Sequence, residues 1–151
     1  MLIEYAMTHE NAIPPQRANP SDAGLDLFAN MEDEKSIVIK SGESVLVQSG
    51  IRIGIPHGYA GIVQNRSSVA YKKSLIVGAC VIDSGYDQEV FINLHNIGSK
   101  QQEIKFGDKI AQFLLIPAVP FRAIESGEGD LYDWYPITIS NRDGGFGSTG
   151  N

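Results

Sequence analysis

Apolar residues in this chain recur at every second position over short stretches, and turn-forming residues separate the stretches. Ile51, Ile53 and Ile55 alternate with Arg52 and Gly54, between Ser49-Gly50 on one side and Pro56-His57-Gly58 on the other. A period of two puts the isoleucines on one face of a strand, and the flanking turn residues mark its ends. Val90, Ile92 and Leu94 alternate in the same manner with Phe91, Asn93 and His95. Further strands are predicted at 37–39, 45–47, 59–63, 75–77, 109–115 and around Phe121. Helical spacing is scarce. One short helix is expected from Ser67-Ser68, whose hydroxyls suit a cap, through Val69, Ala70 and Tyr71 to just before Ser74. So many short strands beside a single helix predict an all-β fold, a jelly-roll-like barrel or sandwich.

The 151 residues are enough for one domain with a real core and too few for a two-domain enzyme. A formal charge of -6 argues against non-specific binding to nucleic acid, which needs a basic footprint. Apolar runs span only a few residues, and the first twenty positions hold Glu4, His9, Glu10 and three prolines. Neither a membrane span nor a secretory signal is expected, and a soluble cytoplasmic protein is. Cys80 is the only cysteine, so no internal disulfide or cysteine-rich zinc site is predicted. His9, His57 and His95 lack metal-ligand spacing and read as solvated or hydrogen-bonded side chains.

Several segments carry groups suited to chemistry. Residues 141–151 place Arg142, Phe146, Ser148 and Thr149 among four glycines in the seven positions 144–150. Cation, hydroxyls and unhindered backbone N–H groups suit phosphate oxygens, and the ring offers a face to a base, although a disordered terminus is the plainer reading. Arg66-Ser67-Ser68 brings a guanidinium and two hydroxyls to a helix start, where phosphate is attracted; an ordinary cap beside a solvated arginine is the commoner alternative. Asp83 follows apolar Val81-Ile82 and precedes a turn, with residues 90–96 expected to return as the second strand of a hairpin. A partly desolvated acid at a sheet rim can take a proton from water, or simply begin the turn by bonding the backbone of Gly85 or Tyr86. Asp26 lies in the apolar stretch 23–29, where an acid requires a partner, an arginine by default. Residues 107–112 read as a turn feeding a strand, and 125–133, acidic and glycine-containing, as a surface linker.

Taken in order, five of these segments resemble the five motifs of the trimeric dUTPase family: 23–29, 66–70, 81–86, 107–112 and 144–150. The resemblance implies a jelly-roll domain over 1–135, a C-terminal arm over 136–151, and a homotrimer with active sites between subunits. It also implies hydrolysis of dUTP to dUMP and pyrophosphate, with Asp83 as general base for a water attacking the α-phosphorus. Arg66, Ser67, Ser68 and Gln112 match phosphate-binding positions, and Tyr86 matches the aromatic that excludes a 2′-hydroxyl. Uracil would be read by backbone groups of 78–82, including Gly78, Val81 and Ile82, and by the facing strand near Phe91. Phe146 would stack on the base, while Arg142, Gly147, Ser148 and Thr149 close over the terminal phosphate. Magnesium would be held mainly by substrate phosphates and water, with no protein ligand set. No nucleic-acid or membrane partner is implied.

The match has departures. Cys80, Gly85 and Gln88 stand where the family commonly has glycine, a second acid and glycine, and Arg142 lies one residue nearer the phenylalanine than usual. Residues 131–137 are longer and more apolar than the expected arm. The competing readings are a dCTP deaminase of similar fold and a nucleotide-sensing trimer that binds a regulatory protein.

Overall fold

A computed structural model describes residues 1–32, 36–127 and 131. The chain divides into two compact units, Met1–Pro120 and Phe121–Asn151. The first unit contains β1 (Tyr5–Met7), β2 (Leu25–Phe28), β3 (Ser36–Ile39), β4 (Ser44–Gln48), β5 (Ile51–Ile53) and β6 (Tyr59–Asn65). After these come α1 (Ser67–Lys73), β7 (Leu75–Val77), β8 (Val81–Ile82), β9 (Phe91–Asn96), β10 (Gln102–Lys105) and β11 (Lys109–Pro117). The all-β reading with one short helix holds.

Period-two patterning becomes burial directly. In β5, Ile51 and Ile53 are buried and Arg52 is exposed; in β9, Ile92, Leu94 and Asn96 turn inward. Two small antiparallel pairs, β1-β5 and β10-β3, accompany a four-stranded sheet in the order β2-β11-β6-β8 and a three-stranded sheet in the order β4-β9-β7. Phe113, Leu27, Ile39, Ile51, Ile92, Leu94, Ile104 and Ile110 form the centre of one core. Gly61 lets β6 approach it, because a Cβ there would lie 2.6 Å from Phe113 Cε2.

Three expectations are corrected. No strand forms around Phe121, which is exposed. Pro117 and Pro120 precede it and supply no N–H to a ladder. β8 does not pair with β9: it joins β6, with Gly61 opposite Ile82 and Ile62 opposite Val81, whereas β9 lies between β4 and β7. Residues 78–80 therefore cross from one sheet to the other. The helix begins one residue earlier than a serine cap requires. Its N-cap is the extended Arg66 with no side-chain capping bond, which places Ser67 and Ser68 inside the first turn. Ser74 closes the helix in the left-handed region at φ 52°, and Lys72 and Lys73 complement the carbonyl end.

Asn96 is the buried polar link between sheet and turn. Its Nδ2 donates to Ile39 O at 2.9 Å and Lys100 O at 2.8 Å, while Oδ1 accepts from Gly98 N–H at 3.0 Å. Replacing it strands three polar partners. Asn96→Ala is expected to lower unfolding free energy by about 2–4 kcal/mol, measured by urea denaturation. A loss below about 1 kcal/mol would mean that the turn at 96–100 is held by other contacts.

Candidate active site

Asp26 is the organising group at one end of the four-stranded sheet. Its side chain is only 13% exposed, and each oxygen has a cation: Arg66 Nε at 2.9 Å from Oδ1 and Lys109 Nζ at 2.8 Å from Oδ2. Arg66 Nη1 also donates to the main-chain carbonyl of Lys109 at 3.1 Å, which ties the guanidinium to the start of β11. The strand order explains the convergence. β11 lies between β2 and β6, Gln112 is level with Asp26 on one side and Gln64 on the other, and Arg66 follows the last residue of β6. A register shift between Lys109 and Ala111 re-aims Lys109 toward Phe28, whose ring centroid lies 5.6 Å from the ammonium. Gln112 Nε2 donates to Asn65 O at 2.8 Å, and the exposed Ser67 and Ser68 stand beside Arg66. A cleft of about 250 Å³ is lined here by Arg66, Ser68, Lys72, Lys73, Asp108 and Lys109. The expected arginine partner of Asp26 is present, and Lys109 is a second one that sequence reasoning had not assigned.

Residues 78–83 make a second group. A cleft of about 380 Å³ is lined by Ala79, Cys80, Val81, Ile82, Asp83, Tyr86 and Phe91, with Leu46, Val63 and Val90. Cys80 is a half-buried free thiol. Gly78 Cα faces Asn93 and His95 so closely that a Cβ would collide with both side chains. Beyond buried Ile82, Asp83 is exposed rather than partly desolvated, because β8 is only two residues long and the chain turns away at once. The turn is held by backbone and neighbours: Tyr86 N–H donates to Asp83 O at 3.2 Å, Gly85 adopts φ +90°, and Ser84 Oγ donates to Ile55 O at 3.2 Å. Tyr86 OH donates to Glu89 O at 2.9 Å. Among the described residues the Asp83 carboxylate has neither a hydrogen-bond nor an ion-pair partner, so the turn does not consume it.

The chain brings together Asp26, Arg66, Ser67, Ser68 and Gln112, and separately Gly78, Val81, Ile82, Asp83, Tyr86 and Phe91. The two groups meet at Asn65, whose Oδ1 accepts from Val77 N–H at 2.6 Å, but Asp83 and Arg66 stay apart. β8 runs antiparallel to β6 with Ile82 opposite Gly61, so Asp83 lies near the start of β6 and Arg66 beyond its end. Six residues of strand separate them, roughly 20 Å at the usual rise. Arg142, Phe146, Gly147, Ser148 and Thr149 lie outside the described residues. Among the described residues no group of three or more His, Cys, Asp or Glu side chains could hold a metal ion.

Removing the shared anion should leave two cations facing each other across a half-buried gap. Asp26→Ala is therefore expected to cost about 1–3 kcal/mol of stability, reduced from the fully buried case by solvent access to Arg66 and Lys109. Chemical denaturation of the variant beside Lys109→Met checks this. If both variants melt like the unaltered chain, the triad is not holding the sheet end.

The dUTPase family model matches residues 10–150. The deoxyuridine 5'-triphosphate nucleotidohydrolase of Wolbachia pipientis subsp. Culex pipiens is 37% identical over 147 residues, covering 95% of this chain and 92% of that protein. That of Clostridium novyi is 36% identical over 153 residues, covering 99% and 98%. The structure of Staphylococcus bacteriophage 80alpha dUTPase with dUPNHPP matches the fold with a TM-score of 0.84, covering 99% of both chains at 22% identity. A mutant dUTPase from phage phi11 of S. aureus, solved to show coordination of a structural Mg(II) ion, has a TM-score of 0.76 and 24% identity, covering 84% of this chain and 97% of that one. With the family match spanning nearly the whole sequence, the chain belongs to the dUTPase family.

Proposed function

We propose that this chain hydrolyses dUTP to dUMP and pyrophosphate, with Asp83 as the general base that deprotonates the water attacking the α-phosphorus. The contrast between two acids carries the assignment. Asp26 is neutralised by Arg66 and Lys109, whereas the Asp83 carboxylate stands at a cleft rim with no partner among the described residues. A base must be free to accept a proton at the reacting centre, and of these two acids Asp83 meets that requirement.

In this reading the backbone of 78–82 and the facing Phe91 read uracil, and Tyr86 closes the space beside the deoxyribose. Arg66, Ser67, Ser68 and Gln112 hold phosphate oxygens, countering charge that develops as the anhydride breaks. Phe146 stacks on the base, and Arg142, Gly147, Ser148 and Thr149 cover the terminal phosphate, within an arm over 136–151 that follows the β domain of 1–135. The separation of Asp83 from Arg66 along β6 favours sites shared between subunits of a homotrimer, in which one chain supplies the base-reading group and another the phosphate group. Exposed apolar side chains at the base cleft, Leu46, Val81 and Phe91, are suited to coverage by a neighbour. Magnesium is used in the family. Here Asp26 is already paired, so the ion would be held mainly by the triphosphate and water and would offset negative charge on the leaving pyrophosphate. No helix among the described residues is long and apolar enough to cross a membrane, and the proposed setting is the cytoplasm.

Pyrophosphate release from dUTP, UTP, dTTP and dCTP, with and without magnesium, tests the reaction. Release from dUTP alone is expected; ammonia from dCTP would identify a deaminase, and tight dUTP binding without turnover a sensor. Asp83→Asn should reduce kcat by about 10²–10⁴-fold with nucleotide binding nearly unchanged, as seen by calorimetry with a non-hydrolysable analogue. An equal loss of binding would remove Asp83 from the base role. Tyr86→Ala should narrow the dUTP-to-UTP preference in kcat/KM by about tenfold or more, and an unchanged ratio would take the ring out of sugar discrimination.

A further inference from the structure

Residues 78–80 leave β7 in one sheet and enter β8 in another, exchanging a main-chain bond to β9 at Gly78 for one to β6 at Cys80. Four hydrogen bonds set their path. Val77 N–H donates to Asn65 Oδ1 at 2.6 Å, and Gly78 N–H to Asn93 O at 2.9 Å. Ala79 N–H donates to Asn93 Oδ1 at 3.2 Å, and Cys80 O accepts from Val63 N–H at 2.7 Å. At the middle of the crossing, then, a side-chain amide stands in for a neighbouring strand.

That amide is itself oriented. The Ala79 N–H identifies the Asn93 atom facing it as the oxygen, and His95 Nε2 lies 2.8 Å from the same oxygen. An amide oxygen carries no proton, so His95 must present Nε2–H as a second donor. On its other side Asn93 Nδ2 reaches toward Val45 O at 3.5 Å. Asn93 and His95 are both half-buried, two residues apart on the same face of β9, and they fill the space that a side chain at Gly78 would need.

We infer that Asn93 and His95 are positioning residues that fix the peptide planes of 78–80 and thereby set selectivity among pyrimidine bases. The inference rests on the reading of 78–82 as the base-recognition segment. Where backbone groups read a base, a donor and an acceptor distinguish uracil from cytosine only if their directions are held. Asn93 holds Ala79, His95 holds Asn93, and Gly78 makes room for both. Neither residue touches the reacting phosphate, so the effect belongs in substrate discrimination and KM rather than in the chemical step.

The test compares Asn93→Ala, Asn93→Asp and His95→Ala with the unaltered protein. It measures kcat and KM for dUTP and dCTP, the melting temperature, and hydrogen exchange of the Ala79 amide. Asn93→Ala is expected to raise KM for dUTP about tenfold with kcat within about twofold, to narrow the dUTP-to-dCTP preference about tenfold, and to speed Ala79 exchange by a similar factor. Asn93→Asp, which keeps an oxygen in place, should restore most of each loss. His95→Ala should shift the preference the same way by about threefold, and it decides the matter if Asn93→Ala does not fold. An unchanged preference in a folded variant overturns the inference, as does a fall in kcat alike for both nucleotides that Asp fails to rescue. If the unaltered protein itself turns over dUTP and dCTP equally, the base-reading role of 78–82 fails and this inference with it. A strong preference that survives Asn93→Ala sinks the clamp alone.

Discussion

An acid set among the apolar residues of a sheet has to be neutralised where it stands, and one end of this molecule is organised around that requirement. Asp26 on β2 draws Lys109 from the start of β11 and Arg66 from the residue after β6, three adjacent strands of one sheet. The contact aligns the strand ends and at the same time holds two cations near a cleft. Arg66 is further held by Lys109 O, and the Lys109 ammonium lies 5.6 Å from the Phe28 ring centroid. In the proposed reading Arg66 belongs both to this ion-paired triad and to the phosphate site, so its loss would lower stability and binding together.

Residues 78–80 rely on neutral groups instead. Amides from Asn65 and Asn93 and the ring of His95 steer the crossing between sheets, with no formal charge required in direct contact with it. The division has a physical logic. Charge recognises a triphosphate from a distance and with little regard to the attached base, whereas discrimination between a carbonyl and an amino group needs fixed donors and acceptors.

Alternation was the most legible feature of the sequence. β5 and β9 could be read from it because every second side chain enters the core. β1 left no such trace, since all three of its residues are exposed, and β10 has only Ile104 buried. The error at β8 had a different origin. Turn residues between two apolar runs suggested a local hairpin, but β8 finds its partner in β6, almost twenty positions upstream, and local pattern holds no record of that choice. The burial cost of Asp26 made an arginine partner foreseeable, and the motif order brought Asp83 forward. Asn93 and His95 were obscure because outward positions of an alternating strand look solvent-facing until the fold lays another segment across them.

Gly78, Asn93 and His95 also constrain how this region can change. The volume above Gly78 belongs to the two side chains opposite, so no larger residue can arise there while they remain. Shrinking Asn93 alone would leave the His95 ring in that space and release the Ala79 amide. A side chain at position 78 therefore requires simultaneous changes at both facing positions, which makes the three residues a single unit of sequence variation.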